Sequence, residues 1–136
     1  MALSSANLSK MPSANQIIDA ACAVLKIPRK KVEFSLNIVT PAKMQGLNVK
    51  HRSKNKPTDV LSFPLLTKSE VSTLLKKDGI LELGDIFINR EEPAERFTFL
   101  VVHGFLHLLG YDHERSKKNE KVMFALQDEI TNYMRN

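Results

Sequence analysis

The chain has no tryptophan, a single cysteine and only two tyrosines among its 136 residues. One cysteine, Cys22, excludes an internal disulfide and suits a reducing compartment. It falls on an apolar helical stripe, which fits a buried, inert thiol better than a nucleophile. No apolar run reaches the ~20 residues of a membrane span; the longest, Phe97 to Leu109, is shorter and carries two histidines. The stretch Met1 to Met11 lacks the charged-then-apolar order of a secretory signal, so the expected location is the cytoplasm. There is no internal repeat, linker or low-complexity segment, and no Walker, GxGxxG or GxSxG signature.

What is present is the composition of a soluble globular chain, 43% hydrophobic and 26% charged. The length fits one domain over residues 1–136, able to bury roughly 65–70% of its unfolded surface. The net charge of +5 favours a polyanionic partner, with a merely solvated basic surface as the equal alternative.

Residues 1–12 are small and polar and read as a loosely held lead-in. Ser13 and Gln16 have capping-box spacing, and Ile17, Ala21, Val24 and Leu25 follow at helical intervals, predicting a helix over 13–26 ended by Pro28. Arg29-Lys30-Lys31 is a short basic turn. Val32 to Val39 alternates apolar and polar, the pattern of a half-buried strand. Thr40-Pro41 then opens a helix with Met44, Leu47 and His51 on its stripe. Lys50 to Lys56 is the most basic window, and Asp59 to Pro64 reads as a short strand. Over 65–79 a short helix capped by Ser69 and a long loop are equal readings. Ile80–Leu83 and Gly84–Asn89 look like two strand-like pieces, with Gly84 as a bulge or close-approach point. Pro93 opens a helix that is apolar nearly all round and therefore buried. Ser116 caps a last helix with Val122, Met123, Leu126, Ile130, Tyr133 and Met134 on its stripe. The expected class is α+β, with one short, mostly mixed sheet packed against helices.

Three of the four histidines lie within residues 103–113. On a helix His103 and His107, spaced i, i+4, share one face a turn apart. Gly110 can take the left-handed conformation of a helix end, so the chain can return His113 to the same point. Two such histidines alone read more readily as satisfied core residues. A third just past a helix-ending glycine favours a site for one zinc ion, with an open fourth position as in catalytic zinc centres. The zinc-protease helix motif H-E-x-x-H uses its glutamate as general base. Gly104 stands at that position, which keeps the metal reading and argues against proteolysis.

Arg52 sits in the basic window, where solvation is the ordinary fate of an arginine. Beside an activated water, a guanidinium can hold a phosphate through two parallel hydrogen bonds and stabilise a phosphoryl transition state. Lys50, Lys54 and Lys56 would guide a polyanionic backbone. Asp85, Asp112 and Glu114 are candidates to orient a ligand histidine from behind, or simply decorate loops. Tyr111 reads as a packing residue, as does His51. No general base is assigned.

The run His103-Gly-Phe-Leu-His107-Leu-Leu-Gly-Tyr-Asp-His113-Glu114 resembles the HGxLHLxGYDH signature of the YbeY family of bacterial metal-dependent endoribonucleases. Leu47-Asn48-x-x-x-Arg52, Pro57 to Pro64 and Leu83-Gly84-Asp85-Ile86 agree in the family's order, so the resemblance covers residues 32–114. It implies a zincin-like α+β fold, one zinc ion on His103, His107 and His113, and a functional arginine at Arg52; Arg52 and His103 are the candidate catalytic residues. It further implies single-strand RNA cleavage in small-subunit rRNA maturation and ribosome quality control. Its implied partners are rRNA precursors, the ribosome, a small-subunit ribosomal protein and a ribosome-associated GTPase. A non-catalytic, metal-stabilised ribosome-assembly factor and a zincin-like metallopeptidase lacking the usual glutamate are the alternatives.

Overall fold

The computed structural model describes residues 2–8, 10–52, 58–112 and 116–135, with the side chains of Ser5, Ala6 and Arg52 outside that description. The lead-in is more ordered than its composition suggests. It forms a short helix, α1 (Ser5–Leu8), and Leu3 is buried, its N–H bonded to the Arg90 carbonyl. Helix α2 (Ala14–Leu25) starts at the expected box: Gln16 N–H donates to Ser13 Oγ and Ser13 N–H to Gln16 Oε1. It ends where Lys26 turns left-handed, φ 58°, ahead of Pro28. Cys22 lies in its buried face, and burial pushes the thiol pKa up, which keeps it protonated and unreactive.

The basic turn Arg29–Lys31 is a single 3-10 turn, followed by strand β1 (Val32–Val39) with its expected bounds. Helix α3 (Pro41–Arg52) is capped by Thr40 Oγ1, which accepts from the Lys43 N–H. Its buried residues are Met44 and Asn48; His51 is exposed and only edges onto Phe63. Strand β2 (Val60–Pro64) leads to helix α4 (Lys68–Leu74), so the helical reading of this region holds. Its cap is Thr67, however, not Ser69. Only Thr67 has a glutamate three positions on, and Glu70 completes a reciprocal capping box with it.

The two strand-like pieces over 80–89 are one strand, β3 (Leu81–Asn89). Opposite Glu33 and Ser35 the register slips by one residue, a bulge that bends β3 without ending it. Gly84 sits in that bulge with φ +126°, and a Cβ there would lie 2.1 Å from the Phe63 carbonyl oxygen. The sheet order is β1-β3-β2, with β1 parallel and β2 antiparallel to β3. Glu33 and Glu82 face each other across the parallel pair. Hydrogen bonding to Glu33, then burial and like charge, hold the Glu82 carboxyl above its ordinary pKa. A raised folded-state value means that stability present in acid is lost as pH rises through it. Glu82→Gln should therefore melt higher than the wild-type chain at neutral pH and show no advantage in acid, a comparison thermal scans at two pH values would settle.

Beyond the 3-10 turn Ala94–Arg96 comes α5 (Phe97–Leu108), and α6 (Lys117–Arg135) closes the fold, with Ser116 Oγ accepting from the Asn119 N–H. Helix α5 packs on β2 and β3 with one side and on α2 and α6 with others, which is why it is apolar almost all round. Phe99 is the exception: it is 40% exposed and faces out. On α6 the buried residues are Met123, Gln127 and Ile130, whereas Val122 and Tyr133 are exposed. Among the described residues no helix is long and apolar enough to cross a membrane.

Candidate functional site

The outer edge of α5 carries His103 and His107, both half-buried. Their Nε2 atoms are 3.2 Å apart. Two chemistries bring imidazole nitrogens to that distance, an N–H···N hydrogen bond or a shared cation. Nitrogens 3.2 Å apart, each at the ~2.0–2.1 Å of a zinc bond, subtend roughly 100° at the ion, near the tetrahedral angle. The donor pair therefore fits a divalent metal.

The end of α5 turns the chain back at the expected glycine. The Gly110 N–H bonds the His107 carbonyl and the Tyr111 N–H bonds the Leu106 carbonyl, the paired bonds of a Schellman motif with glycine at its left-handed position. Gly110 has φ +99°, and a Cβ there would come within 2.5 Å of Lys68 Cβ, so conformation and space both require glycine. His113 and Glu114 lie outside the described residues, as do Lys54 and Lys56. Among the described residues no third His, Cys, Asp or Glu joins the pair in a metal-holding group.

The pair opens into a cleft of about 1060 Å³. The outer strand β2 and the residues before it form one wall, the start of α4 another, and Phe99, Tyr111, Asp112 and Phe124 part of the rest. Its described cations are Lys68, whose Nζ lies 4.4 Å from the centre of the Tyr111 ring, and Arg96. Arg96 is tied to Asp59 at 3.2 Å and to Glu92, and it stands over Phe99. Phe99 in turn stacks on the His103 ring, 5.5 Å between centroids and 19° between planes. At its Nδ1 edge the same ring meets Gln127, whose Oε1 is 3.1 Å away.

The structure thus brings His103, His107 and Asp112 to one cleft. It does not bring Asp85 there. Ile86 faces α5, which puts Asp85 on the opposite sheet face, where its carboxylate accepts from Ser35 Oγ at 2.5 Å. Lys50 is exposed on α3 and is not among the residues lining the cleft. Arg52 ends α3. Sequence reasoning missed Gln127, Arg96, Lys68 and the outward turn of Phe99. The one signal available was a glutamine spaced i, i+4 from Met123 on an otherwise apolar stripe.

Fold and cleft together describe a small α+β domain whose buried helix brings two histidines to an open cleft. The chain belongs to the YbeY endoribonuclease family: the family model described as Endoribonuclease YbeY matches residues 4–135. It is 38% identical over 129 residues to the Endoribonuclease YbeY of Mesoplasma florum, covering 86% of this chain and 73% of that one. The Geobacillus thermodenitrificans protein of the same name is 40% identical over 133 residues, covering 89% and 84%. The solution structure of TM1509 from Thermotoga maritima is 28% identical, covers 91% of this chain and 85% of that one, and superposes with a TM-score of 0.48.

Proposed function

We propose that this chain is a zinc-dependent endoribonuclease that cuts single-stranded stretches of small-subunit rRNA precursors and serves ribosome quality control in the cytoplasm. The observation that carries the proposal is the pair of Nε2 atoms 3.2 Å apart at an open cleft, on the helix of an endoribonuclease-family chain. His103, His107 and His113 would hold one ion, in the spacing of a zincin-like centre without its glutamate. When bound, that ion supplies Lewis acidity and a water that ionises near neutral pH.

The chain's own residues do the rest. Helix α5 is fixed between the sheet and two helices, so the two imidazoles are presented without reorganisation. Arg52 clamps the scissile phosphate through paired hydrogen bonds, and Lys68 adds positive charge at the cleft wall. Lys50, Lys54 and Lys56 track the RNA backbone from the basic window. Phe124, an aromatic side chain 42% exposed at the cleft, is of the type on which unpaired bases stack for ~1–3 kcal/mol, an interaction a duplex cannot use. The ribosome, a small-subunit ribosomal protein and a ribosome-associated GTPase are the partners expected on the family resemblance.

Zinc analysis combined with cleavage of matched single-stranded and duplex RNA tests the proposal. The wild-type chain should contain one zinc and prefer the single strand. Arg52→Glu should keep the metal and lose most cleavage, and cleavage at subsaturating RNA should fall steeply with added salt as phosphate contacts weaken. A metal-free active chain, or an Arg52→Glu protein that cuts like wild type, would overturn it.

A further inference from the structure

Helix α6 presents Met123, Gln127 and Ile130 to the interior, and Gln127 is only 4% exposed. A leucine or methionine would fill that stripe without carrying an amide out of water. The amide is also half satisfied. Its Oε1 meets His103 Nδ1 at 3.1 Å, while its Nε2 is buried with no hydrogen-bond partner among the described residues. Burying an unmet donor is unfavourable, so the group offsetting that cost is the carbonyl.

A carbonyl oxygen only accepts, so in this orientation of the amide the proton of a neutral His103 sits on Nδ1. In a neutral imidazole the lone pair then belongs to Nε2, the atom 3.2 Å from His107 Nε2. Phe99, stacked on the same ring, limits its rotation. We infer that Gln127 is a positioning residue: from a neighbouring helix its carbonyl holds His103 in the Nδ1–H tautomer and aims the Nε2 lone pair into the cleft. The consequence for metal affinity rests on the zinc reading above; the tautomer does not. With the amide turned over, its N–H would donate to Nδ1, place the proton on Nε2 and leave His103 unable to bind an ion.

Nitrogen-15 NMR of the imidazoles in the full, metal-stripped chain, above the pH where they titrate, separates the two arrangements. The expected spectrum has His103 protonated on Nδ1 in the wild type and in Gln127→Glu, whose carboxylate also accepts, with that preference lost in Gln127→Met. Zinc affinity, read by competition with a chelating dye, should fall 10–100-fold in Gln127→Met, the usual cost of losing a group behind a ligand, and recover in Gln127→Glu. A wild-type spectrum with the proton on His103 Nε2 overturns the inference, even if neither variant folds. So does a folded Gln127→Met that keeps both the tautomer and wild-type zinc affinity. A wild-type chain with the Nδ1–H tautomer but no zinc affinity supports the Gln127 contact and sinks the zinc reading instead.

Discussion

On the proposed zinc site, His107→Ala is expected to give a folded protein that neither binds zinc nor cleaves RNA. His107 supplies one of two nitrogens that lie 3.2 Å apart, and among the described residues no third His, Cys, Asp or Glu joins them in a metal-holding group. Changing a residue behind a ligand costs 10–100-fold in metal affinity, so removing the ligand itself should cost more than ~100-fold. Cleavage should fall at least as far. The fold has little reason to follow. The imidazole is half-buried at the cleft rather than in the core, and the bond that ends α5 comes from the His107 carbonyl, which alanine retains. A stability change within ~1 kcal/mol is expected. Zinc content, cleavage rate and thermal midpoint measured on one preparation decide the matter. Stoichiometric zinc with undiminished cleavage in His107→Ala would sink both the site and the mechanism. His51→Ala serves as the control: that ring lies against Phe63, does not line the cleft, and its loss should alter none of the metal-dependent readings.

What could be read from the sequence was mostly what neighbours along the chain decide. The Ser13–Gln16 box, the Thr40 cap, the Ser116 cap and the stop at Gly110 are each settled within a few residues, and each lies where its spacing puts it. The 65–79 helix shows the limit of such rules. Two hydroxyl residues compete for one cap, and only the glutamate three positions beyond Thr67 decides between them. The features that shape the cleft come from farther apart. Gln127 meets His103 across 24 positions and Arg96 meets Asp59 across 37. No periodicity announces such pairs. Phe99 is the complementary case: on a helix apolar on every side, spacing says nothing about which residue is left facing solvent. Asp85 is legible only through the sheet, because a bulge at Gly84 decides which face the following side chains take.

Gly104→Glu tests why this chain lacks the protease's glutamate. From sequence, the glycine reads as a deleted general base, and restoring it should then give a peptidase. The packing predicts otherwise. A Cβ at position 104 would sit 2.8 Å from Ile86 Cγ2, 3.2 Å from Ser62 Oγ and 3.3 Å from Ile86 Cδ1. Ser62 Oγ also donates to the Gly104 carbonyl at 3.1 Å, tying the helix to β2 at the same spot. Position 104 therefore points at the sheet, onto Ile86 and Ser62. Alanine must push Ile86 aside, an overpacking cost of ~1–3 kcal/mol, offset by the ~1 kcal/mol that alanine gains over glycine in a helix. Glutamate adds a carboxylate buried without a partner, so its total should exceed about 4 kcal/mol, a large share of the 5–15 kcal/mol that holds a domain of this kind folded. Denaturant titration should find Gly104→Ala modestly weakened and Gly104→Glu unfolded or nearly so. A Gly104→Glu protein with a wild-type midpoint and new peptidase activity would show that the glutamate's place had been free all along. In the packed structure the helix lies so close to Ile86 and Ser62 of the sheet that position 104 tolerates a methyl at a cost and has no room for a glutamate.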